Sequence, residues 1–160
     1  MSFRSLEWLF PVVITLHNAE EAIGLPDWWK RSGHWHPSVT PGAFRFAVTV
    51  LTLLAFVVTC FSVESGKQTA WTYLAFGFIA ATLVNVLIPH LAATIALRSY
   101  VPGVVTAVFL NLPVLSLLMV LALREGYVSG WKAVEFCAGV SAALLASIPA
   151  LFKLGKVLNL

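Results

Sequence analysis

Long apolar stretches alternate with short polar clusters along the 160 residues of this chain. A bilayer core of about 30 Å is crossed by about 20 largely apolar residues in a helix. On that spacing the pattern predicts helices over residues 5–24, 41–63, 69–99, 102–124 and 130–152. The clusters between them hold Gly, Pro and charged residues, as in ESGKQ, RSYVPG and REGYVSG. Pro41 and Pro102 stand where a first helical turn tolerates proline. Only the joint over residues 25–40 is long, and its Trp28, Trp29, Trp35, Lys30 and Arg31 read as a segment lying at the headgroups.

Composition turns this pattern into a class. The chain is 59% hydrophobic and 11% charged, against about 45–50% apolar and about 25% charged in soluble domains. Too few polar residues remain to cover a soluble surface. The reading is an all-α, single-domain polytopic membrane protein, a bundle of about five transmembrane helices. The N-terminal apolar run contains Pro11, is followed by acids and meets no small-residue cleavage site, so it reads as a mature helix rather than a signal peptide.

The net charge is +3, but the basic residues sit at segment ends and form no run that would point to nucleic acid. Five spans put Arg4, Lys67, Arg124 and Lys132 on one side and Lys30, Arg31, Arg45, Arg98, Lys153 and Lys156 on the other. The excess places the N-terminus outside and the C-terminus on the cytoplasmic side. Cys60 and Cys137, in apolar segments, read as reduced thiols. Lys132 and Glu135 are spaced for an ion pair. Gly139, Ala143 and Ser147 in the last helix, with Gly77 and Ala81 in the third, form stripes that let helices approach closely. Packing within the bundle comes before an oligomer interface in that reading.

The first helix breaks its own pattern at LHNAEEAIGL, residues 16–25. Counted from Ser5, His17 lies about 18 Å and Glu21 about 24 Å along the axis, still within the core. A charge there costs several kcal/mol unless it is paired, protonated or hydrated, so these groups should face the bundle interior. His17 and Glu21 are four residues apart and stack on one face, with Glu20 flanking it. In the third helix His90, Thr94 and Arg98 form a similar row, and Pro89 frees the carbonyl of Asn85 and predicts a kink. Topology brings both groups to one leaflet, together with Arg45, Thr106, Asn111 and the joint residues His34 and His36.

His17-Asn18-Ala19-Glu20-Glu21 resembles the signature of the HXXEE family of small bacterial membrane proteins, and chain length and motif position fit as well. The resemblance implies a membrane-embedded helical fold and no particular activity. Function therefore has to come from the residues. Inverted zincins place His-x-x-Glu-His on a helix, with positions one and five as ligands and position four as base. By that logic His17, Glu21 and His90 hold a divalent metal, zinc before iron, and Glu20 is the general base. Arg98 or Asn111 would steady an oxyanion. His34, His36, Arg45 and Thr94 are secondary candidates. The reading is a metal-dependent hydrolase or acid–base catalyst acting on a lipid-like amphiphile, with the bilayer as its partner.

Other readings share these residues. Two His and one carboxylate also hold non-haem iron in oxidoreductases, whereas a di-iron site asks for more carboxylates than the helices carry. Intramembrane Glu and His serve as relays in proton-linked carriers. An ion-pair knot would join a histidine to Glu20 and Arg98 or Arg45 to Glu21.

Overall fold

The computed structural model describes residues 2–32 and 39–160, apart from the Ser32 side chain, and among these every regular element is helical. A short α1 (Phe3–Leu6) leads into α2 (Leu9–Ser32), followed by α3 (Pro41–Ser65). The third long segment is composite: α4 (Ala70–Asn85), a π-helical turn (Val86–Leu91) and α5 (Ala92–Leu97). So is the fourth: α6 (Val104–Thr106), a second π turn (Ala107–Asn111) and α7 (Leu112–Arg124). The chain closes with α8 (Gly130–Val157). Joint residues His34 and His36 lie outside the described residues.

Local chemistry sets these starts. The Thr40 hydroxyl accepts from Ala43 N at 3.2 Å with Pro41 at the first helical position, and Thr69 caps α4 through Thr72 N at 3.3 Å. Each satisfies a backbone N–H that has no partner within its helix. Among the described residues four segments are long and apolar enough to cross a membrane: Pro41–Ser65, Ala70–Leu97, Val104–Arg124 and Gly130–Val157. At 24 residues, or about 36 Å, α2 has the length as well. Its carboxylates and terminal charges keep it below the apolar standard of the other four.

Contacts distant in sequence close both ends of the bundle. Thr40 Oγ1 donates to Leu160 O at 2.8 Å, so the C-terminus meets the start of α3. At the other end Phe3 N donates to both Glu125 carboxylate oxygens at 3.1 Å. Lys67 Nζ reaches Glu125 O at 2.6 Å, joining the N-terminus to the α3–α4 and α7–α8 joints. Phe3, Phe10, Tyr73, Ile79, Leu115 and Leu118 fill the core of that half.

Helix α2 does not stop at Gly24 as its Gly and Pro predicted; it runs to Ser32 with Pro26 inside it. Gly24 is instead a contact point, since a Cβ there would lie 2.7 Å from Pro102 Cβ. Pro26 has no N–H to offer the carbonyl four residues earlier, and that carbonyl, Ala22 O, accepts from Arg45 Nε at 3.2 Å. Arg45 thus replaces the hydrogen bond that Pro26 removes. Pro89 does break its helix: Ile88 takes extended angles (φ −133°, ψ 115°) inside the first π turn, and the Ile88–Pro89 peptide is cis.

The small residues divide. A Cβ on Gly77 would fall 2.7 Å from Phe136 O and 2.9 Å from Val140, so α4 and α8 touch there backbone to backbone, whereas Gly139 has nothing within 4 Å. The stripe centred on Gly139 therefore does not pack inside the bundle as expected. Lys132 also departs from expectation: its Nζ sits 4.7 Å from the Tyr73 ring centroid rather than pairing with Glu135. Gly77→Ala should lower unfolding stability in detergent by about 1–3 kcal/mol, the usual penalty of overpacking. Gly139→Ala should leave it within about 0.5 kcal/mol. Equal midpoints for the two variants would contradict the assigned contact.

Candidate metal centre

Helix spacing and the Pro89 kink bring three side chains together. His17 and Glu21 come from adjacent turns of α2, and His90 from the first π turn. His90 Nε2 lies 3.0 Å from Glu21 Oε1, and His17 Nε2 lies 3.9 Å from the same oxygen. The imidazole centroids are 4.7 Å apart with planes at 85°. One potential ligand atom from each residue falls within 4.8 Å of the others, and both histidines are buried. The His90–Glu21 contact is short but out of line for a ring N–H, and neither His90 nitrogen has a hydrogen bond among the described residues.

Glu20 is placed differently. Its Oε1 accepts from Tyr100 OH at 2.5 Å and Gly103 N at 2.9 Å. Its Oε2 accepts from Thr106 N at 2.9 Å and Thr106 Oγ1 at 2.6 Å. The helix beginning at Val104 has Gly103 at its N-cap and no capping side chain of its own. Glu20 supplies that cap from another helix, in the place where a carboxylate also meets the positive end of the helix dipole. All four of its partners donate, which leaves Glu20 no free direction for the general-base role its sequence position suggested. Tyr100 lies between spanning segments, and burial together with its bond to Glu20 pushes the phenol up to about 12.

Asn18, between the two functional positions, clamps α2 to α3: its Nδ2 donates to Val48 O at 3.2 Å and Thr52 Oγ1 at 2.7 Å. Gly103 is fixed by both conformation and space, with φ at +96° and an added Cβ only 2.6 Å from His90 Cε1.

The cluster forms part of the wall of a cavity of about 300 Å³ between α2, α3, α4 and α8. Phe44, Phe78, Leu144, Ile148 and Phe152 make it apolar, and Trp28 and Trp29 line it beyond the motif. Arg98, Thr94 and Asn111 are absent from that wall. Arg98 is exposed at the left-handed end of α5. Thr94 Oγ1 and both amide atoms of Asn111 are buried without a hydrogen bond among the described residues. The knot expected between Glu21 and an arginine does not form: Glu21 faces imidazoles, Arg45 serves Ala22, and Glu20 bonds to the 100–106 segment. No motif in the sequence marks Tyr100 or Gly103. The available signal was a helix opening on Pro102-Gly103 with no Ser, Thr, Asp or Asn to cap it.

Fold and site define a polytopic α-helical membrane protein with a His–Glu–His cluster, both imidazoles buried, beside an apolar cavity. The family model of proteins of unknown function with an HXXEE motif matches residues 8–118, and the chain belongs to this family. It is 36% identical over 146 residues to the uncharacterized protein YrkK of Bacillus subtilis (strain 168), covering 91% of this chain and 92% of that one. No solved structure matches.

Proposed function

We propose that the chain is an intramembrane metal-dependent enzyme, a hydrolase or other acid–base catalyst acting on a lipid-like amphiphile. The supporting observation is the convergence of His17, Glu21 and His90 at the wall of an apolar cavity. Their donor chemistry fits zinc. Bonds of about 2.0–2.1 Å to a tetrahedral ion set ligand atoms about 3.3 Å apart, and the contacts at 3.0 and 3.9 Å bracket that distance. His17, Glu21 and His90 would hold a divalent metal, which would supply Lewis acidity and lower the pKa of water toward neutrality. The chain's own groups do the rest. The apolar wall takes an acyl-like chain and excludes bulk water, and Trp28 and Trp29 match the headgroup level.

The same two-His, one-carboxylate set suits iron and redox chemistry on a similar amphiphile. Metal analysis of detergent-purified protein separates the readings. Stoichiometric zinc in the wild type, lost in His17→Ala, is the expected result; iron in its place turns the reading to oxidoreductase. Metal-free wild type that still binds lipid sinks it in favour of a small-ligand carrier. We also place the chain in a bacterial cytoplasmic membrane with its N-terminus outside. The excess of Lys and Arg on the side of the C-terminus supports the orientation, and the relative from Bacillus subtilis supports the bacterial setting. Self-association would use the open Gly139 face of α8.

A further inference from the structure

Thr106 stands between Glu20 and His17, and its single hydroxyl hydrogen has three polar neighbours. These are Glu20 Oε2 at 2.6 Å, Gly103 O at 3.2 Å and His17 Nδ1 at 3.0 Å. The first two only accept. The hydrogen goes to one of them, and the 2.6 Å contact with Glu20 is the shorter. The hydroxyl oxygen then offers His17 a lone pair, so the 3.0 Å contact is a hydrogen bond only if Nδ1 carries the hydrogen. A neutral imidazole has one N–H, which leaves Nε2 bare. Nε2 is the atom that faces Glu21 and is buried without a hydrogen bond.

We infer that Glu20, acting through Thr106, holds His17 in the Nδ1–H tautomer and so makes Nε2 the atom that faces the cluster. Glu20 is thus a positioning residue. The adjacent glutamates divide the work, one facing the two imidazoles and the other ordering the segment that aims one of them. His90 has no comparable partner on either nitrogen among the described residues. Its ring is placed by the Pro89 break and by the close approach of Gly103. Outer partners of this kind fix ring orientation and tautomer at metal-ligating histidines, and losing one typically lowers metal affinity about 10–100-fold.

The consequence for metal affinity rests on the proposed function; the tautomer does not. The test is therefore ¹⁵N NMR of histidine-labelled, chelator-treated full-length protein in micelles, with the His17 signals assigned by their loss in His17→Gln. Wild type and Thr106→Ser should show the Nδ1–H form. Thr106→Val should lose it, and Glu20→Ala should mix the two forms by freeing the Thr106 hydrogen to turn toward Nδ1. Zinc competition on the same samples should show a 10–100-fold loss for Thr106→Val and none for Thr106→Ser. Nε2–H in the wild type, or an unchanged tautomer in Thr106→Val, overturns the inference. If Glu20→Ala does not fold, the two Thr106 variants still decide. Correct tautomers with no zinc binding in any sample would remove the metal reading and leave the relay standing.

Discussion

Gly103→Ala should disable the site from outside the motif. Gly103 has φ at +96°, and a Cβ there would meet His90 Cε1 at 2.6 Å, His90 Nδ1 at 2.9 Å and Glu21 Cγ at 3.0 Å. Left-handed backbone costs a non-glycine residue about 1–2 kcal/mol, and overpacking adds about 1–3 kcal/mol. Together these predict a loss of about 2–5 kcal/mol. Relief by backbone movement would pull Gly103 N from Glu20, where it donates at 2.9 Å. Relief by ring movement would take His90 from Glu21. Either way metal retention should fall along with stability. Gly126→Ala is the control, because its φ is +72° but nothing lies within 4 Å, so only the backbone term applies. Denaturant unfolding in detergent and metal content measure both effects. Gly103→Ala with the midpoint of Gly126→Ala and full metal would show that the approach to His90 is not tight.

The legible parts of this protein were those written in periodicity. Apolar run length gave the spans, and the observed Pro41–Ser65, Ala70–Leu97 and Val104–Arg124 fall close to the expected ranges. The four-residue spacing of His17 and Glu21, with helix direction, brought His90 within reach, and the contacts at 3.0 and 3.9 Å follow from it. Breakers are less legible because their meaning depends on tertiary partners. Gly24 and Pro26 resemble a helix end, but Pro102 packs on the first and Arg45 bonds the carbonyl freed by the second. The duty of Glu20 was hidden for a related reason. Two of its four bonds are to backbone N–H groups, which every non-proline residue carries and no motif records. Nor does a period of small residues say which ones meet a neighbour, as Gly77 and Gly139 show.

Glu21→Gln should separate the two adjacent carboxylates. Glu21 faces His17 and His90, whereas Glu20 bonds to the backbone of the 103–106 segment. The substitution keeps shape and removes charge. In chelator-treated protein it should leave the unfolding midpoint equal or higher, because a buried carboxylate is expensive to hold without a compensating cation. Glu20→Ala should lower it, since charge-assisted hydrogen bonds contribute about 1.5–3 kcal/mol each and two part-buried N–H groups would lose their acceptor. Zinc binding should order the variants differently. Structural zinc sites bind with about 10–16 kcal/mol, so one of three protein ligands is worth about 4 kcal/mol, or about a thousandfold in affinity. Competition against a chromophoric chelator should show that loss for Glu21→Gln, and the smaller loss typical of an outer partner for Glu20→Ala. Wild-type affinity in Glu21→Gln would take the carboxylate out of the ligand set. Equal destabilisation by both substitutions in metal-free protein would make the pair a single packing device instead of a ligand beside its support.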